Sequence, residues 1–295
     1  MAYTSAQKKY FKFCTMYGLE PLPVTNNVIL LYVAYLDTLG LSQSTISVYL
    51  SAVRSAQVMS GMAEPQLRSP QVKLALKAIK EKSGPPKQKA PIEYSLLKKL
   101  LQLIDTEPGH VMWYAIFSLA FFAGLRGAEY TAVTIAGVRK YPVLDQIQFT
   151  IVQGAPVLYY KVLQSKTQPH GYTVAMGCTG TKLCPYCCMY NYVQGRFAKV
   201  AQGNIPLFVY SNGTIVTKAH VNFMIKRLVA ILRLDVSLYS THSLRAGAAS
   251  TAAALGFKDW EIMRLGGWRS AAYRSYIRQV DSHVAGLSAR LATSQ

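Results

Sequence analysis

Acidic side chains are scarce in this chain. Its 295 residues hold 13 Asp and Glu against 32 Lys and Arg, a net charge of +19, and charged residues make up 15% of the sequence where about 25% is usual. Each exposed carboxylate would repel phosphates, so an acid-poor surface predicts a polyanionic partner, nucleic acid first and an anionic membrane second. Long apolar runs are also missing. The longest, 111–125, has 15 residues and stops at Arg126, short of the roughly 20 that span a bilayer, so it predicts a buried helix and no membrane partner. Residues 1–10 carry two lysines but no apolar stretch, which predicts no secretory signal. Cysteine is sparse at five, an odd number with four crowded between Cys178 and Cys188. That is no secreted disulfide framework, and it predicts a reducing, intracellular setting.

What is present is core-forming material: 51% hydrophobic and 11% aromatic residues, enough for one large or two modest cores. The stretch from Ser83 to Pro91 has three prolines, a glycine and two lysines, which predicts an exposed, semi-rigid linker (83–91) between domains 1–82 and 92–295. Residues 1–91 carry 11 basic and 4 acidic side chains and residues 92–295 carry 21 and 9. Two positive domains on a short tether suggest a clamp around one polyanion. No internal repeat is visible.

Periodicity predicts four helices in the first domain. Their stripes are Ala6, Tyr10, Phe13, Cys14, Tyr17; Val28, Leu31, Tyr32, Tyr35, Leu36, Leu39 between a Thr25 cap and Gly40; Ile46, Tyr49, Leu50, Val53; and Val72, Leu76, Ile79 after Ser69-Pro70. The second domain opens with helices over 94–105 and 109–123. It then turns to Val, Ile and Tyr at 147–152, 157–163 and 172–176, predicting a three-stranded sheet. Helices return over 185–198, 218–234 and 242–255. The predicted class is mainly α with a small antiparallel sheet.

Several residues could carry chemistry. Arg126 follows the buried helix, with Glu129 three residues on. A partly desolvated guanidinium suits a phosphate, though an arginine in that place also bonds helix-end carbonyls. His242 and Arg245 share one face near a helix start, with Thr241 as the expected cap, and would offer an anion an imidazole and a second guanidinium; a solvated face is the plainer reading. Lys166 sits in a turn between strands, solvated unless it swings into a groove to protonate a leaving oxygen. Trp268 follows two glycines, and Tyr273 and Tyr276 lie three apart. Either phenol reads as core when taken singly, and a neutral phenol needs cations nearby to act as a nucleophile.

Taken in order, Arg126, Lys166, His242 with Arg245, Trp268 and Tyr276 resemble the signature of the tyrosine recombinases, the phage-integrase-type family: Arg, Lys, His-x-x-Arg, His or Trp, Tyr. The match covers nearly the whole chain, and residues 124–129 (Gly-Leu-Arg-Gly-Ala-Glu) look like the family's first-arginine box. The tryptophan and the Leu183-Cys184-Pro185 segment are most similar to recombinases of Crypton and DIRS-type mobile elements of eukaryotes. The resemblance implies a helical core-binding domain, a basic linker and a catalytic domain. It implies site-specific cleavage and rejoining of double-stranded DNA through a 3′-phosphotyrosyl intermediate, with no cofactor and no catalytic metal. Tyr276 is then the nucleophile, because Tyr273 lies too near Trp268. Lys166 is the acid, Arg126 and Arg245 clamp the phosphate, and Glu129 orients Arg126. His242 handles a proton at the nucleophile, and Trp268 replaces the bacterial histidine. DNA contacts are expected from Lys8, Lys9, Lys12, Arg54, Lys87 and Lys89. Two protomers per site and four in a synapse are expected, with Val280, Val284, Leu287 and Leu291 as a stripe for packing or docking. Action in the nucleus follows if the origin is a eukaryotic element, and in the cytoplasm otherwise. The rival readings are a catalytically inactive DNA-binding protein of the same fold, or relaxation alone as in type IB topoisomerases.

The cysteines admit other chemistry. Cys184-Pro185-Tyr186-Cys187 matches a glutaredoxin-like dithiol, but no thioredoxin-like alternation surrounds it. Cys178, Cys184, Cys187 and either Cys188 or His170 are zinc-ligand types, yet a single Cys-x-x-Cys is a weak signal. They are expected to be small buried residues, with no metal bound.

Overall fold

The computed structural model describes residues 2–67, 69–84, 89–135, 137–197 and 205–277. The chain forms two compact units, Met1–Lys87 and Gln88–Gln295. No helix among the described residues is long and apolar enough to cross a membrane.

The first unit holds helices α1 (Ala2–Met16), α2 (Asn26–Thr38), α3 (Gln43–Met59) and α4 (Pro70–Lys82). Thr25, Ser42 and Ser69 cap the last three, each side-chain oxygen accepting a backbone N–H of the first turn. Helix α1 packs on α3, and α2 on α4. At the centre the Tyr32 ring lies 5.1 Å from Tyr10 and 5.0 Å from Phe13. The predicted stripe of α2 is rotated: Leu31 and Leu39 are exposed, and Ile29 and Val33 are buried in their place. Residues 28–33 are all apolar, so periodicity left the inward face open and packing chose it.

The second unit opens with α5 (Tyr94–Gln102) and α6 (His110–Phe122). Helix α6 is buried on almost every side and packs against α8 (Pro185–Phe197) and α10 (Thr241–Ala254). Between them lie α7 (Gly127–Tyr130), a hairpin of β1 (Val133–Ile135) and β2 (Val138–Lys140), and an antiparallel sheet in the order β3 (Ile147–Val152), β4 (Ala155–Val162), β5 (Tyr172–Gly177). Register pairs Tyr160 with Ile147 and Val174. Leu158, Tyr160, Val162, Val174 and Met176 are buried, the period-two pattern of a sheet covered on one face. Helices α9 (Lys218–Ile231) and α11 (Asp259–Leu265) and a 3-10 turn over Ala271–Tyr276 complete the unit.

Three sequence expectations change. The β1–β2 hairpin was not foreseen, because three-residue strands show too few alternations to register. The linker is shorter than predicted: Ala90 N–H donates to Leu238 O at 2.8 Å and Ile92 N–H to Ser243 O at 2.8 Å, fastening this stretch to the second unit. Thr241 is not the cap of α10. Ser240 is, its hydroxyl accepting from His242 N–H, while Thr241 N–H donates to Asn222 Oδ1 at 2.8 Å. Val280, Val284, Leu287 and Leu291 lie outside the described residues, as does Lys87.

Helix α10 is built almost wholly from Ala, Gly, Ser and Thr after Leu244-Arg245, which lets it approach its neighbours closely. A Cβ on Gly247 would collide with the Ile92 carbonyl, whereas one on Gly195 in α8 would meet open space. Gly247→Ala is therefore expected to cost about 2 kcal/mol, roughly 4–8 °C of melting temperature in a unit of this size. Gly195→Ala should raise stability by up to about 1 kcal/mol. Thermal unfolding of both variants tests the contrast, and equal effects would refute it.

Candidate active site

Helix α6 ends at Phe122, and Gly124 follows two residues on with a φ of 51° that suits glycine. The chain then turns inward to Arg126. Arg126 N–H donates to Glu129 Oε2 at 2.8 Å, its Nη1 donates to Glu129 Oε1 at 3.0 Å, and the Glu129 side chain is only 1% exposed. Tyr172 Oη donates to Glu129 Oε2 at 3.0 Å, and Tyr160 Oη to the Glu129 carbonyl at 2.6 Å. Burial, then the Glu129 carboxylate, pushes the Tyr172 phenol well above its usual range, so it stays protonated and remains a donor. Glu129 thus fixes Arg126 from behind while itself held by two tyrosines of the sheet.

Arg245, on α10, is fully buried. Its Nη1 donates to the carbonyls of Gly124 and of Gly266, the latter at 2.9 Å. Its guanidinium carbon sits 3.9 Å from the centre of the Trp268 ring, a cation over a π face. Burial, then the neighbouring Arg126 charge, lowers its pKa from the ordinary arginine value, with Glu129 opposing. Arg245 Nε and Nη2 and Trp268 Nε1 are buried and donate to no acceptor among the described residues.

The 3-10 turn carries Tyr276 to this cluster, its carbonyl accepting from Ser250 Oγ at 3.1 Å. The half-buried Tyr276 ring lies 4.9 Å from the His242 imidazole and 6.1 Å from Trp268, and the Arg245 guanidinium carbon is 6.0 Å from its centre. Tyr273 is fully buried among Ala249, Ala252, Ile262 and Trp268. Lys166 is exposed on the β4–β5 loop, and that loop is tied to the cluster on both sides of it. Arg126 donates to Ser165 Oγ at 3.2 Å and Thr167 Oγ1 at 3.4 Å, and Gln168 Nε2 donates to Gly267 O at 3.0 Å. Arg126, Arg139, Lys140 and Lys166 line a groove of about 890 Å³.

Sequence reasoning missed several members of this group. Ser165, Thr167 and Gln168 act through position alone. Arg139 and Lys140 stand on the unforeseen hairpin, and Lys140 Nζ donates to Gln164 Oε1 at 3.1 Å. Lys218 is the first residue of α9, where a cation opposes the helix dipole, and that placement was the available signal. Of the expected DNA contacts, Lys8 and Lys12 are exposed on α1, Lys9 lies over the Tyr49 ring at 5.7 Å, and Lys89 Nζ donates to Ser237 O at 2.5 Å. Arg54 is paired with Glu64 at 2.6 and 2.7 Å, both side chains being exposed.

The cysteines also depart from it. Cys184 and Cys188 are buried, but Cys178 is exposed and Cys187 partly so. His170 precedes β5 and Cys178 follows it, so the length of that strand separates them by about 20 Å.

The fold is similar to those of solved recombinase structures. An integrase of the Tn1549 transposon in complex with transposon right-end DNA matches with a TM-score of 0.62 at 14% identity, over 98% of this chain and 93% of its own. A XerH site-specific recombinase bound to palindromic difH substrate matches at 0.59 and 16%, over 92% and 72%. A lambda integrase dimer bound to a COC′ core site matches at 0.53 and 14%, over 94% and 70%. No protein-family profile and no curated protein matches the sequence. The mainly helical architecture with its small antiparallel sheet is therefore the fold of the tyrosine recombinase catalytic domain.

His242 is exposed at the rim of the cluster. Desolvation, then Arg245, Lys218 and Arg126, lower its pKa from 6.5, so the imidazole is neutral at pH 7. The unfolded chain then binds the proton more readily than the folded one, so this group's contribution makes stability rise with pH between the lowered value and 6.5. An NMR titration should give a midpoint below 6.5, moving upward in Lys218→Met. A midpoint at or above 6.5 in the wild type refutes this account.

Proposed function

We propose that the chain is a DNA site-specific tyrosine recombinase, most similar in its motifs to those of Crypton and DIRS-type mobile elements. The observation that carries this reading is the buried donor set of Arg245 and Trp268, without partners among the described residues, which faces the same cluster as the Tyr276 ring. Buried donors without partners cost about 1–3 kcal/mol each. They are explained if a phosphodiester oxygen completes them. The acid-poor, +19 chain supplies the long-range attraction for DNA.

The proposed chemistry uses these side chains as follows. Tyr276 Oη attacks the phosphorus and its proton passes toward His242, neutral and beside it. The new bond is Oη–P and the broken one is P–O5′. Lys166, held over the groove by its loop, gives the departing 5′-oxygen a proton, leaving a 3′-phosphotyrosyl enzyme and a free 5′-hydroxyl. Arg126, Arg245 and Trp268 stabilise the charge growing on the non-bridging oxygens, and loss of one such donor costs on the order of 10²-fold in rate. One phosphodiester replaces another, so the exchange needs no nucleotide hydrolysis. Arg139, Lys140 and Lys218 extend the positive groove along the backbone of the duplex. Two protomers per site and four in the synapse, a mobile-element origin and action in the nucleus complete the proposal.

Duplexes selected from a randomised library by binding to the protein, then nicked beside the scissile position, test it. Wild type and Tyr273→Phe should form a covalent protein–DNA adduct, and Tyr276→Phe should form none. An adduct in Tyr276→Phe with none in Tyr273→Phe would overturn the assignment. Lys166→Ala should slow cleavage about 10²–10⁴-fold. A 5′-bridging sulfur, which leaves without a proton, should restore it there but not in Tyr276→Phe. Exchanged products identify recombination; relaxed plasmid without exchange would place the protein with the topoisomerases.

A further inference from the structure

Outside the groove, one cluster of reactive side chains is used by nothing in the proposed reaction. Cys178 follows β5 directly, Cys184 precedes α8 and Cys187 lies in the first turn of α8. Their three sulfurs lie within 4.8 Å of one another. Cys178 Sγ is 3.5 Å from Cys187 Sγ and 3.6 Å from Cys184 Sγ. A disulfide needs about 2.05 Å, whereas sulfurs sharing a tetrahedral zinc ion at about 2.3 Å stand about 3.8 Å apart. The observed spacing matches the second geometry.

The surrounding backbone fits the same use. Thr179 N–H points at Cys184 Sγ at 3.2 Å and Cys187 N–H at 3.4 Å, the kind of outer hydrogen bonding that orients and supports a thiolate ligand. Cys188 points elsewhere, its Sγ donating to Lys182 O at 3.3 Å, and His170 lies at the far end of β5. Neither of the two fourth ligands foreseen from the sequence reaches the cluster, and no other His, Cys, Asp or Glu among the described residues joins it.

We propose that Cys178, Cys184 and Cys187 bind a single zinc ion, with a water molecule in the fourth position, as a clasp between the end of β5 and the start of α8. The role is structural. Tyr172, which touches the phosphate cluster through Glu129, is at the opposite end of β5, about 20 Å away. The clasp closes the loop 178–187 and fixes the N-terminus of α8. Helix α8 packs on α6, and α6 delivers Arg126. Each thiol gives up its proton to solvent as the ion binds, so affinity falls as pH falls.

Elemental analysis of the full chain, purified without chelator, should find one zinc per chain, retained in Cys14→Ala and lost in Cys178→Ser, Cys184→Ser and Cys187→Ser. In case a serine variant does not fold, cobalt(II) titrated into the metal-stripped wild type gives a second reading. A sulfur-to-cobalt charge-transfer band with the visible bands of a tetrahedral ion, saturating at one equivalent and displaced by zinc, is the expected result. Substoichiometric zinc with no charge-transfer band overturns the proposal. So does a disulfide among these three cysteines in protein kept under reducing conditions. Neither result depends on DNA cleavage, so failure of the clasp and failure of the recombinase reading are told apart.

Discussion

A guanidinium without solvent is the constraint around which the second unit is arranged. Removing such a charge from water costs several kcal/mol unless the protein returns its interactions. Arg245 recovers them from the Gly124 and Gly266 carbonyls, the Trp268 ring and the Glu129 charge. These partners come from two segments distant from α10 in the chain, 124–129 and 266–268, so one side chain fixes the end of α6, the turn after α11 and α10 against each other. The price is a close approach that tolerates no side chain: a Cβ on Gly124 would lie 3.0 Å from Gly266 Cα, and one on Gly127 would lie 2.9 Å from Thr241 Oγ1.

The same arrangement leaves donors over. One Arg245 nitrogen satisfies the fold, and its other donors, with the Trp268 indole N–H, are left without protein acceptors among the described residues. With one atom holding the scaffold, the orientation of the remaining donors is fixed in advance, which preorganises them for the phosphate contact proposed above. Arg126 is instead bonded within the protein through its backbone and through both terminal nitrogens. Its backbone N–H and Nη1 are committed to Glu129, while contacts to Ser165 and Thr167 tie the Lys166 loop to the groove.

Much of the architecture was legible beforehand. The helical stripe around Tyr10, the Thr25 cap and the Ser69-Pro70 start of the fourth helix are local patterns, and so are the strands at 147–152 and 172–176. Local patterns persist whatever the rest of the chain does. Failures came where local information was weak or ambiguous. The face of α2 was undetermined because residues 28–33 are uniformly apolar, the β1–β2 strands are too short to show a period, and Ser240 took the cap from Thr241, one residue away.

Sequence alone determined the ordered set of Arg126, Lys166, His242, Arg245, Trp268 and Tyr276, the acid-poor charge, and the helices and strands on which those residues ride. It could do so because residue type, spacing and periodicity are properties of the chain itself. Tertiary structure decided that Tyr276 and not Tyr273 stands beside His242. It decided that Arg245 is a buried strut and not a solvated cation, and that three of the four clustered cysteines meet while Cys188 turns away. Those outcomes depend on contacts such as that between Arg245 and Gly124, 121 residues apart. No local pattern encodes which distant backbone a side chain will meet.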